Sequence, residues 1–430
     1  MAISGRVIIL LLLGVIPVAI SPLPSVLLAW VGGVVVLVIL DLLLAASPRK
    51  LQVSRLLPTS VRLTVPATSE LELTNLAGRT MHLHLRDAWP PSAVAPKNRH
   101  SLSLPNEETR KVRTTMLPRR RGDLFAGPVT VRSFGPLGLA ARQLSLPVPG
   151  QIRVLPEFAA RKHLPSRMAR LRELDGTASV QLRGPGTEFD SLREYVAGDD
   201  VRSIDWRATA RRQEVVVRTW RPERDRHVMI LVDVSRTSAA RVADAPKVEA
   251  AIEASLLLAA LANHAGDRVD VLAYDRKVRA QCYGLSGARL LPSLAQELSS
   301  LHPMLIEMDW PGAVATLQQR LGQRALVVLL TSLDTAAVES GLLRVVGQLS
   351  KDHTVVLASI DDPDIAVMSG QRDSIEDVYE AAAAERQTLS QQATAVQLRQ
   401  RGVEVLTAEP DHLAPALADK YLDLKAAGRL

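Results

Sequence analysis

The spacing of hydrophobic positions changes along this chain, and each change predicts a different kind of element. From Val7 to Leu40 no charged residue occurs. One transmembrane helix needs only about 20 residues, and Pro17, Pro22 and Pro24 interrupt the run. The pattern therefore predicts two apolar helices, near 7–21 and 25–46, the first so short that it would thin the bilayer or lie shallow. Arg6 precedes the pair and Arg49, Lys50 and Arg55 follow it, so the cytoplasmic preference of basic flanks puts both ends in the cytoplasm. Asp41, close to the interface, is expected to snorkel or pair rather than serve a transport path. A cleaved signal peptide is the alternative, but no small-x-small site separates the two apolar runs.

From 51 to 156 the period becomes two. LQVSR, SVRLTV, SELELT, TMHLHL, VTVRS and IRVLP alternate apolar with polar and are separated by Pro, Gly and Asn, which predicts a small antiparallel β-domain, sandwich-like. His82 and His84 fall on one face of such a strand, and with no third ligand in view they are expected to face solvent. From 227 onward HVMILVD, RVDVLAYD, ALVVLLTS, TVVLASID and VEVLTAE read as buried parallel strands, with helices at 247–265, 341–351 and 374–400 between them. That alternation predicts a doubly wound α/β domain whose ligands bind off the carboxyl ends of the strands.

Between these regions lies the densest segment, GPGTEFDSLREYVAGDDVRSIDWRATARRQEVVVRTW. Phe189, Leu192 and Val196 have helical spacing, Gly198 suits a left-handed cap, Asp199 or Asp200 can open a second helix with Val201, Ile204 and Ala208 inward, and EVVVRTW reads as a strand. Trp206 among Asp205, Arg207 and Arg211 is expected to be buried, locking the segment with Arg202 and Asp205 alongside. The resulting division is 1–48 for the helices, 51–156 for the β-domain, 157–226 for a connector carrying this segment, and 227–430 for the α/β domain.

Composition narrows the chemistry. The 430 residues include a single cysteine, Cys282, which excludes an internal disulfide and any thiolate metal cage. The 52 basic and 45 acidic residues give a net charge of +7. Most of it falls between Lys97 and Arg121, where eight basic residues face only Glu107 and Glu108. So close to a membrane anchor, this stretch is expected to meet anionic lipid headgroups, with nucleic acid the alternative. Only 5 Trp, 5 Tyr and 4 Phe are present, too few to suggest base-stacking platforms.

EFDSLREYVAGDDVRSIDWRATAR, with RRRGDLFAGPVTVRSFGPLGLAAR upstream and HVMILVDVSRTS downstream, resembles the bacterial domain-of-unknown-function 58 family, the Gly-Asp-Asp-x-Arg-x-Ile-Asp-Trp core being its most specific part. The resemblance implies a membrane-anchored protein whose α/β domain is von Willebrand factor A-like and whose partner is a MoxR-type AAA+ ATPase. It makes Gly198, Asp199, Asp200, Arg202, Asp205, Trp206 and Arg211 the signature residues.

Asp233, Ser235 and Thr237, at i, i+2 and i+4 after the first strand of the α/β domain, can turn hard oxygens toward one point, as Mg²⁺ requires; they can equally cap the turn that follows. In von Willebrand A domains D-x-S-x-S/T belongs to a metal-ion-dependent adhesion site completed by a Thr and an Asp from two further loops. Here those places hold Glu307-Met308-Asp309 and Ser332, with Asp334 two positions on, so the site is degenerate. No cofactor is expected, Mg²⁺ being the ion that the partial site would take.

No catalytic constellation stands out. The function expected is a non-catalytic module at the inner membrane, its soluble domains cytoplasmic, presenting the α/β domain to a partner. The alternatives are a membrane-associated hydrolase using Asp199 and Asp200, or a basic nucleic-acid binder.

Overall fold

The computed structural model describes residues 1–181, 188–221, 226–333 and 341–430. They form two compact units, Met1–Glu157 and Phe158–Leu430.

The first unit opens with β1 (Ala2–Ile3) and the apolar helices α1 (Gly5–Leu13), α2 (Val15–Ile20) and α3 (Pro24–Leu44). Pro24 begins α3, where its missing N–H costs nothing. Among the described residues only α3 is long and apolar enough to cross a membrane; the Gly5–Ile20 stretch is shorter. The two stretches pack together: Trp30 Nε1 donates to the Leu10 carbonyl at 3.1 Å, and a Cβ on Gly14 would stand 2.3 Å from the Trp30 ring. Much of their remaining surface is exposed Ile, Leu and Val, including Ile8, Leu12, Leu28 and Val36.

Ten strands follow: β2 (Leu51–Leu56), β3 (Ser60–Arg62), β4 (Ala67–Asn75), β5 (Met81–Arg86), β6 (Arg99–Leu104), β7 (Thr109–Met116), β8 (Gly122–Phe125), β9 (Val129–Phe134), β10 (Ala140–Leu146) and β11 (Gln151–Leu155). They build sheets ordered β1-β10-β9-β5-β6, β2-β4-β7 and β3-β11-β8, antiparallel except where β11 runs parallel to β3. The alternation in the sequence is the alternation of burial. Leu83 and Leu85 of β5, Leu71 and Leu73 of β4 and Val131 of β9 share one core, while His82 and His84 point to solvent.

Two sequence expectations change here. The basic stretch 97–121 is not one patch, because β7 lies beside β4 and brings Lys111 and Arg113 onto Glu70 at 2.8 and 2.9 Å; Arg110 pairs with Glu108, and Arg121 is only 3% exposed. Arg55 is not a flanking charge of the anchor but is buried against Asp87 at 2.8 Å.

The second unit begins with α4 (Leu164–Gln181), followed by the hairpin β12 (Glu188–Glu194) and β13 (Val216–Arg221) with α5 (Trp206–Arg212) between its strands. Then come β14 (His227–Asp233), α6 (Arg236–Ala239), the short pair β15 (Arg241–Val242) and β16 (Ala245–Pro246), α7 (Lys247–His264), β17 (Arg268–Tyr274), β18 (Val278–Cys282), α8 (Leu290–Ser299), α9 (Trp310–Gln318) and β19 (Ala325–Leu330). The last elements are α10 (Leu342–Asp352), β20 (Thr354–Ile360), α11 (Pro363–Gly370), α12 (Ile375–Gln400), β21 (Glu404–Ala408) and α13 (Pro410–Ala426).

The sheet order is β18-β17-β14-β19-β20-β21, parallel except for the β17–β18 hairpin. Its strands are apolar along their whole length because both faces are covered. One face packs on α7, α8 and α13 through Ile230, Leu257, Leu294 and Leu417. The other packs on α9, α10 and α12 through Leu231, Trp310, Val346 and Leu398. This is the mixed α/β sheet that the sequence pattern predicts, with the Asp233 loop at its carboxyl end.

Candidate functional site

β14 ends at Asp233, which is 1% exposed, and its carboxylate organises the following turn. Oδ1 accepts the Ser235 N–H at 2.8 Å; Oδ2 accepts the Thr237 hydroxyl at 3.0 Å and the Thr331 hydroxyl at 2.6 Å. Ser235 Oγ and Thr237 Oγ1 stand 3.1 Å apart. Asp233, Ser235 and Thr237 thus converge as their spacing suggests, and Thr331, at the end of β19, joins them.

The other positions considered for this site go elsewhere. Asp309 caps α9 by accepting the Gly312 N–H at 3.1 Å, Glu307 pairs with Arg236 at 2.7 Å, and Met308 is buried in the core. Ser332 meets the buried Lys247, whose Nζ lies 3.5 Å from its Oγ. Asp334 lies outside the described residues.

The donor set does not fit Mg²⁺. The only carboxylate among the described residues there is Asp233, beside the Ser235, Thr237 and Thr331 hydroxyls, and an ion that needs near-octahedral oxygens and sheds water reluctantly would gain little from so small a set. The Lys247 ammonium also lines the same small cleft as Asp233, Thr331 and Ser332, and it would repel a second cation. Among the described residues no cluster of three or more His, Cys, Asp or Glu is placed to hold a metal. The cluster acts as a lock on the β14–α6 turn. Sequence reasoning missed Thr331 and Lys247; the one usable signal was a lysine at the first position of a mostly apolar helix.

The signature segment departs from its expected form. Residues 188–194 are a strand, not a helix: β12 pairs antiparallel with β13, and a register shift between Phe189 and Ser191 breaks its alternation. Gly198 is left-handed at φ 112°, in a turn rather than at a helix end. The Asp199 carboxylate takes both Nη atoms of Arg193, at 2.8 and 2.6 Å, and the Val196 N–H at 2.9 Å. The guanidinium, with the N–H second, holds the carboxyl below its ordinary range. Asp200 caps only the single 3₁₀ turn Val201–Ser203.

Asp205 caps α5 through the Arg207 and Ala208 N–H groups and accepts from Arg218 at 2.9 Å. The Ala208 N–H, then Arg218, pulls its carboxyl down. Trp206, as the first residue of α5, is turned outward and 69% exposed rather than buried. Val196 and Val201 are exposed as well, as are Arg202 and Arg211. The arrangement fixes a loop and displays an indole. Asp199 and Asp200, the paired acids available to a hydrolase, are engaged in that fixing, and Cys282 is buried, its thiol pushed up by burial.

Residues 191–396 match the family described as "Protein of unknown function DUF58", in agreement with the resemblance carried by the signature segment. The chain is also 24% identical over 181 residues to the uncharacterized proteins Rv1480 of Mycobacterium tuberculosis and Mb1516 of Mycobacterium bovis, covering 39% of this chain and 57% of each relative. This chain thus spans little more than half the length of those relatives. Among solved structures, the CARDB domain of a Pyrococcus furiosus protein is 15% identical over 24% of this chain and 87% of its own, with a TM-score of 0.18. A FixG-related protein from Vibrio parahaemolyticus is 9% identical over 24% and 96%, also at 0.18. At such scores neither supports a conclusion about fold or function.

Proposed function

We propose that this chain, matched over residues 191–396 by a family to which no activity is attached, is a non-catalytic, membrane-anchored interaction module. It presents a von Willebrand factor A-like α/β domain to a cytoplasmic partner, and a MoxR-type AAA+ ATPase is the partner that the sequence resemblance implies. The observation that carries the reading is the signature segment, which Arg–Asp pairs hold in one shape while Trp206 stays exposed. A rigid segment that displays a tryptophan suits recognition, since buried aromatics dominate the energetics of interfaces. The D-x-S-x-T loop at the carboxyl end of a parallel sheet supports the von Willebrand-like assignment, and the locked Asp233 cluster supports a contact role over a metal-borne one.

Anchoring rests on the length and apolarity of α3. The cytoplasmic orientation rests on the exposed basic residues Arg6, Arg49 and Lys50.

The test is co-expression of the full chain with the MoxR-type ATPase of the same cell, followed by detergent extraction and capture. The ATPase is expected to co-purify and to be lost with Trp206→Ala at an unchanged melting temperature. Equal retention by the variant, or turnover of a substrate by the chain alone, overturns the reading.

A further inference from the structure

The outward face of the sheet β1-β10-β9-β5-β6 gathers basic residues that lie far apart in the sequence. Arg86 of β5 stands directly opposite Arg99 of β6, and His84 stands opposite Arg132 of β9. Because side chains alternate along a strand, these residues share one face, where they line an open cleft of about 390 Å³. Among the described residues no carboxylate lines it. Two of the groups are held in place: Arg132 Nε donates to Gln143 at 2.8 Å, and the His84 ring packs against Phe134 at 4.6 Å.

Like charges directly opposite on neighbouring strands repel, whereas on β7 of the same unit Lys111 and Arg113 are matched by Glu70. Among the described residues none supplies a balancing negative charge on this face, which leaves it open to an anion from outside. Planar guanidinium forks converging from adjacent strands suit the oxygens of a phosphate group.

The position of the face indicates the source of that phosphate. β1 leads directly into α1, and the turn between β9 and β10 is gripped by Asp41 of α3, which accepts the Leu137, Leu139 and Ala140 N–H groups at 2.7, 2.7 and 2.9 Å. Arg132 lies two residues up β9 from the strand end beside that turn, and Arg86 pairs with Thr130, two residues further on. At roughly 3.3 Å per residue these are about 7 and 13 Å from the strand end, on the scale of a Debye length. We infer that this face binds the phosphate of an anionic phospholipid headgroup in the membrane that holds α3, an inference that rests on the anchoring reading above.

The test uses the full chain in neutral detergent micelles, titrated with dihexanoyl phosphatidylglycerol, dihexanoyl phosphatidylcholine and inorganic phosphate. Phosphatidylglycerol is expected to bind and phosphatidylcholine not. The double variant Arg86→Gln, Arg99→Gln is expected to bind about thirtyfold more weakly, two basic contributions of the usual size beside an anionic headgroup. Its melting temperature should not fall, because a repelling pair has been removed. Equal affinity of variant and wild type overturns the inference, and inorganic phosphate binding as tightly as phosphatidylglycerol overturns the lipid source. Carbonate extraction of native membranes tests anchoring separately: release of the chain would sink the anchor while leaving the micelle titration interpretable.

Discussion

Asp233 shows how one buried carboxylate can be committed to structure. Replacing it with alanine leaves the Ser235 N–H and the Thr237 and Thr331 hydroxyls without their acceptor, at a cost of about 1–3 kcal/mol for each buried group that finds no substitute. Asp233→Ala should therefore lower the melting temperature by at least about 6 °C, and calorimetry on the wild type should show no heat with millimolar Mg²⁺. Micromolar binding that vanishes in the variant would show that the lock is a metal site after all. Glu404 makes a pH-dependent contribution. Hydrogen bonds from Lys420, then Arg429, hold its carboxyl below the ordinary 4.5, so folding favours the ionised form. That stabilisation is present above the unfolded value and is lost as pH falls through the folded one. Glu404→Gln should then cost about 1 kcal/mol at neutral pH, the size expected of a partly exposed pair, and converge with wild type as the pH falls through the folded value. A cost independent of pH would assign the effect to packing.

Between elements, the joint of α3 with the β9–β10 turn is closely fitted. Asp41 is fully buried, and its three backbone bonds turn an expensive charge at the end of an apolar helix into a clamp. Arg142 reinforces the joint by donating to the Leu42 carbonyl at 3.1 Å. Gly135 is required there, because a Cβ would lie 2.2 Å from both the main-chain oxygen and Oδ1 of Asp41. Gly135→Ala and Asp41→Ala are each expected to speed hydrogen exchange at the Leu137, Leu139 and Ala140 amides at least about tenfold, since loss of about 1.4 kcal/mol of local stability has that effect. Unchanged protection in both variants would refute the clamp.

For the whole molecule the testable question, on the anchoring proposed above, is which side of the membrane the soluble parts occupy. With α1–α2 and α3 taken as a pair crossing and returning, fusions before Ser4 and after Leu430 should report the cytoplasm with both a fluorescent and a periplasm-active reporter. Activity of the periplasmic reporter at either end would reverse or break this topology. The match over residues 191–396 begins within β12 and ends within α12, so the family correspondence covers the signature hairpin and most of the α/β sheet.

Read alone, the sequence determines the features whose cause is local. A charge-free run makes an apolar helix wherever it packs, period-two alternation makes a half-buried strand, and uninterrupted Val, Leu and Ile make strands covered on both faces. The Asp233 turn was legible for the same reason, its three groups lying two residues apart in succession. The β12 strand was not, because a bulge near Asp190 erases its alternation and the partner that decides the matter, β13, begins 22 residues after β12 ends. Nor could the sequence show that Thr331 completes a cluster 98 positions away, or that Asp41 reaches amides 96 to 99 positions on. The charge pattern makes the same point most sharply. The basic run 97–121 is divided by strand pairing: Arg110, Lys111 and Arg113 meet Glu108 and Glu70, while Arg99 joins Arg86 and Arg132, from two other strands, on one face lined by no carboxylate among the described residues. Adjacency in a sheet is set by register between distant segments, and only the folded chain fixes that register.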